Sequence, residues 1–113
     1  MDVDGIARVC HEANRAYCQS IGDPSKKPWE EESDELRASG RAGVLTIADD
    51  PDVTPERLHE KWWDKKKLEG WGYAAVKNEE LKQHPCCISY GYLSRDQRVK
   101  DELFHAVARA LLR

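Results

Sequence analysis

The sequence predicts a mainly α protein with a small β element, built from about four helices and a short two-stranded ribbon. Three observations carry this. Apolar residues recur at three- and four-residue steps in four separate segments, the period of one buried helix face. Those segments are bounded by capping residues, Gly and Pro. Between the third and fourth, helical periodicity gives way to small, aromatic and β-prone side chains.

The first helix runs from about residue 4 to 21, with Ile6, Val9, Cys10, Ala13, Tyr17 and Ile21 as its inner face. Gly22 stops it and Pro24 follows. Residues 23–28 form a polar loop closed by Pro28 and Trp29. The second helix starts at Ser33, an N-cap with Asp34 and Glu35 in the first turn. Its stripe is Leu36, Gly40, Gly43, Val44 and Ile47. Each glycine weakens the helix by about 1 kcal/mol relative to Ala. The helix survives if another element presses on that face, and otherwise breaks near Gly40. Asp49, Asp50 and Pro51 end it.

The third helix has the clearest start: Thr54 as cap, Pro55 at the first helical position, then Glu56. It carries Leu58, Trp62, Trp63 and Leu68, and Gly70 stops it. Residues 71–76 read as a strand and 78–83 as a turn. His84-Pro85 forces an extended lead-in to Cys86, Cys87 and Ile88, the second arm of the ribbon. The last helix opens with Ser94 and Gln97 in capping-box spacing. Val99, Leu103, Phe104, Val107, Ala110 and Leu111 form its inner face.

At 113 residues the chain is expected to be a single domain spanning 1–113. Leu, Ile, Val and Phe total 21, so the core is thin and leans on four Trp and four Tyr. With 18 basic and 21 acidic residues, extended nucleic-acid contact is not expected. No apolar run approaches the roughly 20 residues that span a bilayer. The acidic start lacks the layout of a secretory leader. Cys10 and Cys18 on one helix would lie about 12 Å apart, too far to join. A cytoplasmic protein with reduced thiols is the expectation.

Several chemistries are missing. No phosphate-cradling Gly-rich loop, dinucleotide fingerprint or nucleophile elbow is present. His11-Glu12 begins like a zinc-protease helix, but Arg15 stands where the second His belongs. The four Cys and four His show no metal-ligand spacing, so neither metal nor cofactor is expected.

Three clusters remain. On the first helix, His11, Asn14, Arg15 and Cys18 share a stripe offset from the apolar one. A solvated face is the commoner meaning of such a stripe, but bidentate hydrogen-bonding groups there would also grip a carboxylate or phosphate. On the third helix, His59, Trp62 and Lys66 share a face, followed by Trp71 and Tyr73. These aromatics serve either as core or as a stacking surface. Two consecutive Trp cannot both point inward, so at least one is partly exposed. Lys65 to Lys67 alone read as a solvated helix end. His84 is the third point; a hydrogen-bonding role outweighs a catalytic one, since no nucleophile or carboxylate partners it at a recognisable spacing.

Together these stretches resemble the RyR domain, the repeat module of ryanodine receptors also found alone in bacterial and phage proteins. The resemblance rests on HEANR at 11–15, PW at 28–29, LHEKW at 58–62, EGWGY at 69–73 and VKN at 76–78. KQHPC at 82–86, Tyr90, Leu93 and KDELF at 100–104 complete it. Ala74 and Asn78 depart from the family's usual Gly and Asp. The resemblance implies a compact, mainly helical domain, a homodimer for a lone copy, and a non-enzymatic role. It further implies an adenine-nucleotide site with Trp62 as stacking platform.

The expected function is therefore a small-ligand-binding module for an adenine- or ADP-ribose-type nucleotide. Trp62 stacks on the base, and Arg15 and Lys66 meet phosphate. His11, Asn14, His59, Trp71, Tyr73 and His84 line and orient the site. The rival expectation is a protein–protein interaction or scaffold module using exposed aromatics as anchors.

Overall fold

The structure, a computed structural model, describes residues 2–113. It contains four α-helices and one two-stranded parallel ribbon: α1 (Val3–Ser20), α2 (Asp34–Asp49), α3 (Pro55–Leu68), β1 (Gly72–Tyr73), β2 (Gln83–His84) and α4 (Arg95–Leu111). Short 3-10 turns lie at Trp29–Glu31 and Tyr90–Tyr92. By its contacts the chain divides into two units, Met1–Val53 with Glu102–Arg113, and Thr54–Asp101. Among the described residues, no helix is long and apolar enough to cross a membrane.

In the first unit, Asp2 caps α1 by accepting the Gly5 amide at 2.9 Å, satisfying a donor that has no partner inside the helix. The buried face of α1 differs from the one its apolar residues predict. Ile6, Ala7, Cys10, His11, Asn14 and Cys18 are buried, whereas Val9 and Ile21 are nearly half exposed. The helix is turned so that Ala7, His11, Asn14 and Cys18, at steps of four, three and four, form the inward stripe. The His11 imidazole is tolerable there because it is hydrogen-bonded to the Lys27 carbonyl and lies against the Trp29 ring.

Helix α2 is unbroken through both glycines, and the reason is close approach. A Cβ at Gly40 would lie 3.4 Å from the Trp29 ring and 3.7 Å from Ala7; one at Gly43 would lie 2.9 Å from the Phe104 ring. Ser33 caps the helix by accepting the Leu36 amide at 3.1 Å. Val44, Ile47 and Trp29 are buried. On α4 the predicted face is also shifted. Ala108 is fully buried, while Ala110 and Leu111 are exposed. His105 donates through Nε2 to the Val53 carbonyl at 2.6 Å, fixing the segment after α2.

In the second unit, Thr54 caps α3 through the Arg57 amide at 3.1 Å, with Pro55 in the first turn. The other end closes with Gly70 in the left-handed region at φ 91°. The Gly70 amide reaches the Lys67 carbonyl at 3.0 Å and the Trp71 amide the Lys66 carbonyl at 2.9 Å. This is the Schellman arrangement. It folds Trp71 back beside Lys66.

The ribbon pairs Gly72 with Gln83 and Tyr73 with His84 in parallel. Its second arm therefore precedes Pro85, instead of lying at Cys86 to Ile88. Pro85 has no amide to continue a ladder. The chain turns there, with the Cys86 amide on His84 Nδ1 at 2.9 Å and the Cys87 amide on the His84 carbonyl at 3.2 Å. Between the arms, Asn78 bridges antiparallel to Gln83. Ser94 and Gln97 form the reciprocal capping box at the start of α4, at 3.2 and 3.0 Å.

Candidate functional site

One face of α3 carries His59, Trp62 and Lys66, at i, i+3 and i+7. His59 is 4% exposed. A carbonyl only accepts, so its Nε2–H donates to the Ile88 carbonyl at 2.7 Å, and Nδ1 stands 3.6 Å from an Asp101 carboxylate oxygen. The ring is tilted against Trp62 at 5.6 Å and Tyr90 at 5.9 Å. His59 is thus an inner wall held from two sides.

Trp62 is half-buried and meets the His84 ring edge-on at 5.4 Å; Trp71, also half-buried, meets the same ring at 6.5 Å. His84 accepts the Cys86 amide at Nδ1, so in the neutral ring the proton is on Nε2. The Lys66 ammonium lies 4.6 Å from the centre of the Trp71 ring and 5.8 Å from that of Trp62. Such contacts contribute about 0.5–2 kcal/mol, more as the cation loses water. Burial pushes the Cys87 thiol pKa up, and the Lys66 charge partly offsets it.

Chemically this is a surface of flat π faces with one mobile cation and two pinned imidazoles. It suits a planar, anion-bearing ligand. Among the described residues, no group of three or more Cys, His, Asp or Glu is arranged to hold a metal ion.

The second unit thus brings together five residues singled out by sequence: His59, Trp62, Lys66, Trp71 and His84. Tyr73 is 57% exposed on β1, outside these ring contacts. His11, Asn14 and Arg15 belong to the first unit. His11 lies on the inward face of α1, not on an outer polar stripe. It donates through Nε2 to the Lys27 carbonyl at 2.7 Å, with the Trp29 ring 5.7 Å away and a Glu32 oxygen at 3.7 Å. Asn14 is buried and its Oδ1 has no hydrogen-bond partner among the described residues. Arg15 pairs with Glu12 at 3.0 Å, and the other Glu12 oxygen accepts the Trp29 amide at 3.2 Å. Helix-one polar groups therefore hold the loop around Trp29 in place.

The sequence clusters omit Tyr90 and Asp101, which flank His59, and Cys87, which lies near Lys66. Tyr90 sits in a stretch of aromatics without helical period, a weak signal. Asp101 lies in the KDELF stretch that carries the family resemblance, while Cys87 has no signal that spacing would reveal.

A family model for the RyR domain matches residues 51–112, more than half of the chain and all five residues of the cluster. No curated protein matches the chain.

Proposed function

The chain belongs to the RyR domain family, and from that premise we propose that it is a non-enzymatic binding module for an adenine- or ADP-ribose-type nucleotide. The observation that carries this reading is the Trp62–Lys66–Trp71–His84 cluster, in which two half-exposed indoles share one ammonium. Base stacking on an aromatic side chain is worth about 1–3 kcal/mol, and a lysine within reach supplies the anion's counter-charge. Trp62 stacks on the base, Lys66 meets phosphate, and the pinned imidazoles of His59 and His84 keep the indole in register. Isothermal calorimetry with ATP, ADP-ribose and cyclic ADP-ribose tests it. Binding of one of these, weakened about ten-fold or more in Trp62→Ala, is the expected result. Equal, negligible heats for wild type and variant overturn it.

A second reading, a protein-docking module, is favoured by a different observation. Leu68, Val76, Leu81 and Tyr92 of the second unit are each more than 60% exposed. Docking predicts a partner whose capture is lost in Leu81→Asp or Tyr92→Ala and is indifferent to Trp62→Ala.

A further inference from the structure

The immediate surroundings of the two indoles differ in one respect: what can move. His59 is tied to the Ile88 carbonyl at 2.7 Å, and His84 is tied to the Cys86 amide at 2.9 Å. Trp71 is set by the Schellman closure through its own amide. Lys66 is the flexible neighbour, an ammonium on a four-carbon stem held by the rings it covers. Removing it from the rings therefore disturbs no backbone hydrogen bond of the cluster.

Resting on the nucleotide reading above, we propose that Lys66 is the residue that selects phosphorylated nucleotides over nucleosides, because its ammonium occupies the indole surface until a phosphate draws it off. A bare nucleoside must displace the cation and receives nothing for it. A nucleotide displaces the same cation and pairs with it, so the cation–π contact is exchanged for a stronger charge-assisted one. The residue thus opposes one ligand and favours the other.

The two effects have opposite signs in one substitution, and that makes the test. Lys66→Met keeps the stem and removes the charge. Titrated with adenosine and with ADP, this variant is expected to bind adenosine about three-fold tighter than wild type and ADP about ten-fold weaker. Lys66→Arg keeps the wild-type preference. Affinities for both ligands falling together, or neither changing, overturn the proposal. An independent readout uses no base at all. Pyrophosphate, compared with sodium chloride at equal ionic strength, shifts tryptophan emission in wild type and leaves Lys66→Met unchanged; an identical response in both proteins also overturns it. If no nucleotide binds wild type, the functional reading itself fails. If nucleotides bind and the preference survives in Lys66→Met, only the role of Lys66 fails.

Discussion

His59 places its Nε2 2.7 Å from the carbonyl oxygen of Ile88, joining a buried position on α3 to the irregular segment that follows Pro85. The bond spans 29 residues of sequence, and its imidazole is buried while Ile88 is half-buried. It is the fixed point from which Trp62 and Tyr90 take their places.

Removing that imidazole leaves a carbonyl without its donor and a void beside two aromatic rings. His59→Ala is expected to lower stability by about 2–4 kcal/mol, read by urea denaturation. Amide exchange should rise locally in residues 85–93. A variant with wild-type midpoint and unchanged exchange would show that the bond contributes nothing.

The two glycines of α2 should respond oppositely to the same change. At Gly40 a methyl group meets Trp29 at 3.4 Å, ordinary contact, so Gly40→Ala keeps the helix-propensity gain of up to about 1 kcal/mol. At Gly43 it would lie 2.9 Å from the Phe104 ring. Gly43→Ala should therefore destabilise by about 1–3 kcal/mol despite the same propensity gain. Thermal melts of the two variants measure the contrast, and equal shifts would contradict the packing described for Phe104.

Burial pushes the Cys10 thiol from 9.0 up to about 11, only partly offset by a hydrogen bond from the Cys10 backbone. The folded chain holds this proton where the unfolded chain has lost it. Stability from this group is fully present below pH 9 and declines as pH rises towards 11. Cys87, raised for the same reason, adds in the same direction. Denaturation midpoints across that window should fall, and fall less steeply in Cys10→Ala. A slope unaltered in that variant would remove Cys10 as a contributor.

Where local chemistry decides an element, the sequence alone was sufficient. Thr54-Pro55 and the Ser94–Gln97 box locate the starts of α3 and α4, because caps depend on neighbours three residues away. Helix faces were less legible. The apolar pattern of α1 points to Val9 and Ile21, yet the helix buries His11 and Asn14. A polar residue's burial depends on distant partners, for His11 the Lys27 carbonyl and the Trp29 ring, which periodicity does not encode. The ribbon's register was hidden for a similar reason, since Pro85 puts the second arm at Gln83–His84, upstream of the expected Cys86 to Ile88. Of the site, spacing on one helix sufficed for His59, Trp62 and Lys66. Trp71 and His84 come to the same place only through the turn at Gly70 and the parallel pairing.

All four imidazoles of the chain are engaged with main-chain groups. His11, His59 and His105 each hold a carbonyl at 2.6–2.7 Å, and His84 receives an amide. Substituting any of them releases a stretch of irregular backbone before it alters anything a ligand would touch. Diminished affinity in a histidine variant thus carries two messages at once, and only a companion measurement of how firmly the tethered segment is held tells them apart.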